Sequence, residues 1–129
     1  IRSERMICLD PRGLVGEDYS IYGDIRYDLG KLAHSVYGNY DSIIGNRYSI
    51  RKTGKSNFDF NIDEMRDQEV IGDLFKEIIL DTFGMSKREA LAFCSVLFLS
   101  MLPIHADNGD RQNALLATAL LCYNKWNLL

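Results

Sequence analysis

Cysteine and proline are scarce in this sequence: three cysteines (Cys8, Cys94, Cys122) and two prolines (Pro11, Pro103). An odd number of cysteines, each set among apolar residues, excludes a disulfide framework and points to reduced core thiols in a cytoplasmic protein. The two isolated prolines exclude a proline-rich linker or recognition tract. Charge of one sign is also lacking. Fifteen Lys and Arg face eighteen Asp and Glu, a formal net charge of -3, so the balance offers no reason to bind nucleic acid or an anionic membrane. Long hydrophobic runs are absent too. Residues 90–104 form the longest, at 15 residues, and Ser95, Ser100 and Pro103 interrupt it. That is short of the roughly 20 needed to span a bilayer, so a buried helix is expected there. No secretory leader pattern, internal repeat or low-complexity segment is read.

What is present is enough apolar material, 47% of the residues against 26% charged, to expect one packed domain over 1–129. Residues 5–9 read as a short strand and 10–22, with Gly13 and Gly16, as a loop. Asp24 is placed to cap a helix running to about Tyr37, and Asp41 to cap one further turn. The period then changes from helical to alternating. Tyr48 and Ile50, then Phe58, Phe60 and Ile62, flank Thr53-Gly54-Lys55-Ser56, which predicts a β-hairpin. A helix is expected from about Asp63 to Phe83, stopped by Gly84. Ser86-Lys87-Arg88-Glu89 has the capping-box pattern and opens an apolar helix to about Leu102, ended by Pro103. A last helix is expected over about 110–125, with Asp107 or Asp110 as its cap. The expected class is mostly α (α+β), with a short N-terminal strand and one hairpin.

Residues 49–56 fall one residue short of the phosphate-binding pattern G-x-x-x-x-G-K-[ST], with Ser49 in the place of the first glycine. That loop needs a helix N-terminus after it. The residues that follow alternate like a strand, so a basic hairpin tip (Arg51, Lys52, Lys55) is the expected structure.

In the helix beginning at Asp24, the apolar stripe Ile25, Leu29, Leu32, Ala33, Val36 places Asp28 on or beside the inward face. A buried carboxylate needs firm partners, so Asp28 is expected to be buried in a network. Backbone N–H groups, Arg26 or Arg12 are its candidate partners. His34 falls on the opposite face in this reading and is expected to be structural or exposed.

Cys8-Leu9-Asp10-Pro11-Arg12-Gly13, followed by Tyr22-Gly23-Asp24-Ile25-Arg26-Tyr27-Asp28-Leu29-Gly30-Lys31-Leu32-Ala33-His34-Ser35, resembles the C-terminal lobe of the aminoglycoside phosphotransferase and choline kinase family, which has a protein-kinase-like fold. The closest resemblance is to a branch found in bacterial capsular polysaccharide biosynthesis proteins. It covers roughly positions 6–44 and 97–120. It implies that Asp10 is the metal-binding aspartate, ligating the Mg²⁺ that bridges the ATP phosphates. Asp28 would hold the backbone of the catalytic loop, with Asp24 and Gly23 shaping the turn before its helix. His105, Asp107 and Arg111, in the later run Ser100 to Gln112, would contact the acceptor. Tyr37, Tyr40, Tyr48 and Trp126 are candidates for an aromatic pocket or, alternatively, for core.

The family's H-G-D-x-x-x-x-N catalytic loop should lie just upstream of Asp10, and none of the nine residues before it fits. The ATP-binding N-terminal lobe is missing as well. With no initiator Met at Ile1, the expectation is a C-terminal lobe fragment of a larger cytoplasmic enzyme. That enzyme would transfer phosphoryl groups to a sugar or amino-alcohol, and the fragment alone would be inactive. The alternatives are a non-catalytic scaffold or protein-interaction module of a polysaccharide-assembly enzyme, and a freestanding helical binding domain with chance similarity. Self-association is left open.

Overall fold

In the computed structural model, which describes residues 14–20, 22–55, 57–63 and 66–129, two small antiparallel ladders decorate a helical core. The elements in order are β1 (Leu14–Val15), β2 (Asp18–Tyr19), α1 (Ile25–Val36), α2 (Tyr40–Ile44), β3 (Tyr48–Lys52), β4 (Phe58–Ile62), α3 (Gln68–Leu74), α4 (Lys87–Ser100) and α5 (Gly109–Leu128). α3 runs on without a break into a π-helical segment, Phe75–Leu80. The mostly helical α+β class expected from the sequence is what forms. The strand expected at residues 5–9 lies outside the described residues, as do Cys8, Asp10 and Arg12.

The predicted hairpin is present. β3 and β4 pair antiparallel with Ile50 opposite Phe60 and Tyr48 opposite Ile62, and Tyr48, Phe60 and Ile62 pack against the core. Residues 49–55 therefore lie on a strand and its turn, with β4 after them and no helix N-terminus, which disposes of the phosphate-loop pattern. The expected loop also contains a second, minimal ladder, β1–β2, turning at Gly16 with φ 65°.

α4 begins as predicted. Ser86 Oγ accepts from Glu89 N at 3.1 Å while Glu89 Oε2 accepts from Ser86 N at 2.9 Å. It stops at Ser100, three residues before Pro103. Other boundaries moved. The helix expected from Asp63 begins at Gln68, because Asp67 takes a left-handed φ of 61°; Gly84, at φ 67°, follows its end. α2 follows a left-handed Asn39 (φ 52°) instead of being capped by Asp41. α5 is capped by Asn108, whose Oδ1 accepts from Arg111 N at 3.0 Å, and not by Asp107 or Asp110.

The inward face of α1 is rotated from the expected one. Leu29, Gly30, Ala33 and His34 are buried, whereas Ile25 and Leu32 are 45% and 52% exposed. Two glycines set this face. A Cβ on Gly30 would lie 2.9 Å from Phe93 Cβ, and one on Gly38 would run into the Phe98 ring. The missing side chains let α1 close on α4 more tightly than an apolar pair would. Contacts pair Gly30 with Phe93 and Leu97, Ala33 with Cys94, His34 and Gly38 with Phe98, and Tyr37 with Lys87 near the start of α4, so α1 crosses the middle of α4. α5 returns antiparallel: Gln112 Nε2 donates to Leu102 O at 2.8 Å, Ser95 Oγ to Ala119 O at 2.9 Å, and Arg88 lies over Trp126. Phe98, Leu91, Leu115, Leu80 and Ile43 fill the space between.

Candidate functional site

The residues singled out in the sequence fall at two ends of this helical core. At the N-terminal end of α1, Asp24 caps the helix through Arg26 N (2.9 Å) and also holds the Arg26 side chain, at 2.5 Å. Hydrogen bonding to Asp24 raises the Arg26 pKa, and the carboxylate charge adds to it. Gly23 and Asp24 are exposed. Asp28 is exposed as well, which corrects the expectation of a buried, networked carboxylate. The physical reason is the rotated face: Asp28 shares its side of α1 with Ile25 and Leu32, which also face outward. Glu89 stands at the same end, its carboxyl held down by hydrogen bonds from Ser86.

His105, Asp107 and Arg111 gather at the other end, where α4 has finished and α5 starts. From Glu89 to Met101 is twelve residues, about 18 Å of helix. His105 sits on the connecting turn, its N–H donating to Met101 O and its carbonyl accepting from Asn108 N. Arg111 is held in the first turn of α5, its side chain 19% exposed, with its guanidinium only 3.7 Å from Asp107. Tyr40 and Tyr48 feel its positive charge, but burial dominates and raises both phenols. The structure thus brings His105, Asp107 and Arg111 together, and places Gly23, Asp24 and Asp28 elsewhere.

This second end carries a feature that sequence reasoning missed. Among the described residues, five buried polar atoms find no hydrogen-bond partner: His34 Nε2, Asn39 Oδ1, Gln68 Oε1, His105 Nε2 and Arg111 Nε. His105 and Arg111 stand where α4 gives way to α5, whereas Asn39 and Gln68 follow the end of α1, where Gln68 donates through its other amide atom to Val36 O. His34 is 2% exposed, stacked on Tyr40 and tilted against Phe98, with ring centroids 4.5 and 3.8 Å away. Burial pushes its pKa down to about 4, and Lys31 adds to the shift. His34 is therefore a neutral core histidine, structural as expected but on the inward face. Its position one turn after Gly30 was the available signal.

The four aromatic candidates do not converge. Tyr37 donates to Gly72 O at 3.1 Å and packs edge-on to Phe75, while Trp126 lies beside Tyr123 at 5.3 Å. Among the described residues no group of three His, Cys, Asp or Glu side chains could hold a metal ion, and no helix is long and apolar enough to cross a membrane. No family model, curated protein or solved structure matches the chain.

Proposed function

We propose that this chain is the C-terminal lobe of an ATP-dependent small-molecule phosphotransferase of the kinase-like kind. In the whole protein it would act on a sugar or amino-alcohol hydroxyl in capsular or surface polysaccharide synthesis. The observation that carries the reading is the two-part aspartate pattern, Asp10-Pro11-Arg12-Gly13 followed by Gly23-Asp24 and, eighteen residues after Asp10, Asp28.

α1 starts at Asp24 as the pattern requires, and Asp28 presents an accessible carboxylate on the outer side of that helix. Such a group is available to accept backbone N–H bonds from a catalytic loop in the whole protein. The described residues supply no metal cage of their own. By the resemblance, Mg²⁺ would rest on Asp10, with ATP phosphates and water completing its shell, which is how Mg²⁺ is ordinarily bound. The metal would supply charge neutralisation on the phosphates. The reading gives His105, Asp107 and Arg111 acceptor contacts only, at the far end of α4.

The test is Mg²⁺-dependent binding of a fluorescent ATP analogue to the full-length protein and to Asp10→Ala. At least a tenfold loss, about 1.4 kcal/mol, is expected; equal binding by the two proteins would sink the metal role of Asp10. The second reading, a non-catalytic interaction module, has one observation in its favour. Phe58, Leu116, Leu120 and Leu121 leave apolar surface exposed along an open groove of about 590 Å³ between β4 and α5. An H-G-D-x-x-x-x-N loop encoded upstream of Ile1 supports the enzyme, and its absence there supports the module.

A further inference from the structure

α4 and α5 meet through small side chains: Ala90, Cys94 and Ser95 on one helix, Ala114, Thr118, Ala119 and Cys122 on the other, all buried. The helices approach closely enough for Ser95 Oγ to reach Ala119 O across the interface. Within this seam the two thiols face each other, Sγ to Sγ 3.4 Å, with exposures of 0% for Cys94 and 2% for Cys122. A disulfide needs about 2.05 Å, so the sulfurs have only about 1.4 Å to close, within reach of a χ1 adjustment between close-packed helices.

The two thiols are not equivalent. Cys94 lies 3.8 Å from the carbonyl of Ala33 as well as against Cys122, so its S–H has an acceptor on either side. Its hydrogen bond to Cys122, with burial adding, pushes the Cys94 thiol up. Accepting that bond pulls the Cys122 thiol down against the effect of its burial, and Lys125, one turn further along α5, lowers both thiols. Ionised sulfur is the nucleophile in thiol oxidation.

We propose that Cys94 and Cys122 form a peroxide-responsive dithiol in which Cys122 reacts with a hydroperoxide and Cys94 closes the disulfide. In the first step the Cys122 thiolate attacks the peroxide; an S–O bond forms, the O–O bond breaks, and the leaving oxygen takes a proton. In the second, Cys94 sulfur attacks the Cys122 sulfenic sulfur; the S–S bond forms, the S–O bond breaks, and water departs with the Cys94 proton. Two thiols lose two electrons, and one hydrogen peroxide becomes two waters. The product covalently locks α4 to α5, closing a chain segment that includes the turn bearing His105 and the first turns of α5. A small neutral oxidant suits the site, because the sulfurs are reached only when the seam opens locally.

The experiment uses the full chain carrying Cys8→Ser, so that the pair holds the remaining thiols, and treats it with hydrogen peroxide before denaturation and peptide mapping. A cross-linked Cys94–Cys122 peptide, about 2 Da lighter than the two thiol peptides together, is expected. The oxidised protein should melt about 10 °C higher, and dithiothreitol should reverse the shift. In that background Cys94→Ala should leave a sulfenic acid on Cys122 that dimedone traps, whereas Cys122→Ala should leave Cys94 unlabelled. Both thiols surviving peroxide while the methionines oxidise would overturn the proposal, and so would dimedone on Cys94 alone. The cross-link needs no change at either cysteine of the pair, so it decides the matter even if a substitution there weakens the fold.

Discussion

The two ends of α4 are built on opposite terms. At its start, around Asp24, Arg26, Ser86 and Glu89, the polar groups are exposed and reciprocally bonded. At its finish, around His34, His105 and Arg111, polar atoms are buried and several go without a partner in the protein. An unpaired buried polar atom costs about 1–3 kcal/mol, so the finishing end draws stability from the apolar core beside it. The comparison teaches that the well-ordered capping motifs, conspicuous in the sequence, mark the end with the least stored cost. The end able to offer unsatisfied groups to a ligand carries only the Asn108 cap of α5.

The largest expected effect tests the finishing end. Gly38→Ala drives a methyl into Phe98 and the carbonyl of His34 and should destabilise by about 3 kcal/mol in chemical denaturation. A loss under about 1 kcal/mol would mean that α1 and Phe98 can part without cost.

The next effect is acid sensitivity. His34 is held neutral down to about pH 4 in the folded chain but titrates near 6.5 when unfolded. The unfolded state therefore binds the extra proton first as pH falls. Stability from this group is full above about 6.5 and drains away toward pH 4, by about 2 kcal/mol between pH 7 and 4.5. Melts of His34→Phe over the same range should show a shallower acid limb. Parallel limbs for the two proteins would show that the acid response comes from elsewhere.

At the starting end the effects shrink. Ser86→Ala removes the α4 cap and should cost about 1 kcal/mol, read as a lower urea midpoint at unchanged slope. Smallest of all is Asp28→Asn. On an exposed surface it should shift the stability of this chain by less than about 0.5 kcal/mol. A loss of several times that would restore the buried network expected from the apolar stripe.

Much of the fold was legible because its signals are local. Strict alternation placed the β3–β4 hairpin, and Ser86-x-x-Glu89 placed the start of α4. The facing of α1 was not legible, since an inward stripe counted from apolar residues gives no weight to Gly30, whose value lies in the side chain it lacks. Asn39 and Asp67 adopt left-handed backbone that nothing in their neighbours announces, so α2 and α3 began where no cap was expected. Asp107, Asn108 and Asp110 offer three plausible caps within four residues, and only backbone direction chooses among them. Of the candidate site, His105, Asp107 and Arg111 are neighbours in the sequence, and the structure brings Arg111 to 3.7 Å from Asp107. Their separation from Asp28 depends on how α1 packs across α4, a long-range fact.

The antiparallel pairing of α4 and α5 also has an electrostatic consequence. α4 ends on free carbonyls equivalent to about half a negative charge. α5 brings the positive pole of its own peptide dipoles to the same place. Arg111, in the first turn of α5, is set against the positive pole of its own helix, and the carboxylate of Asp107, 3.7 Å away, and the free carbonyls of α4 offset its charge together.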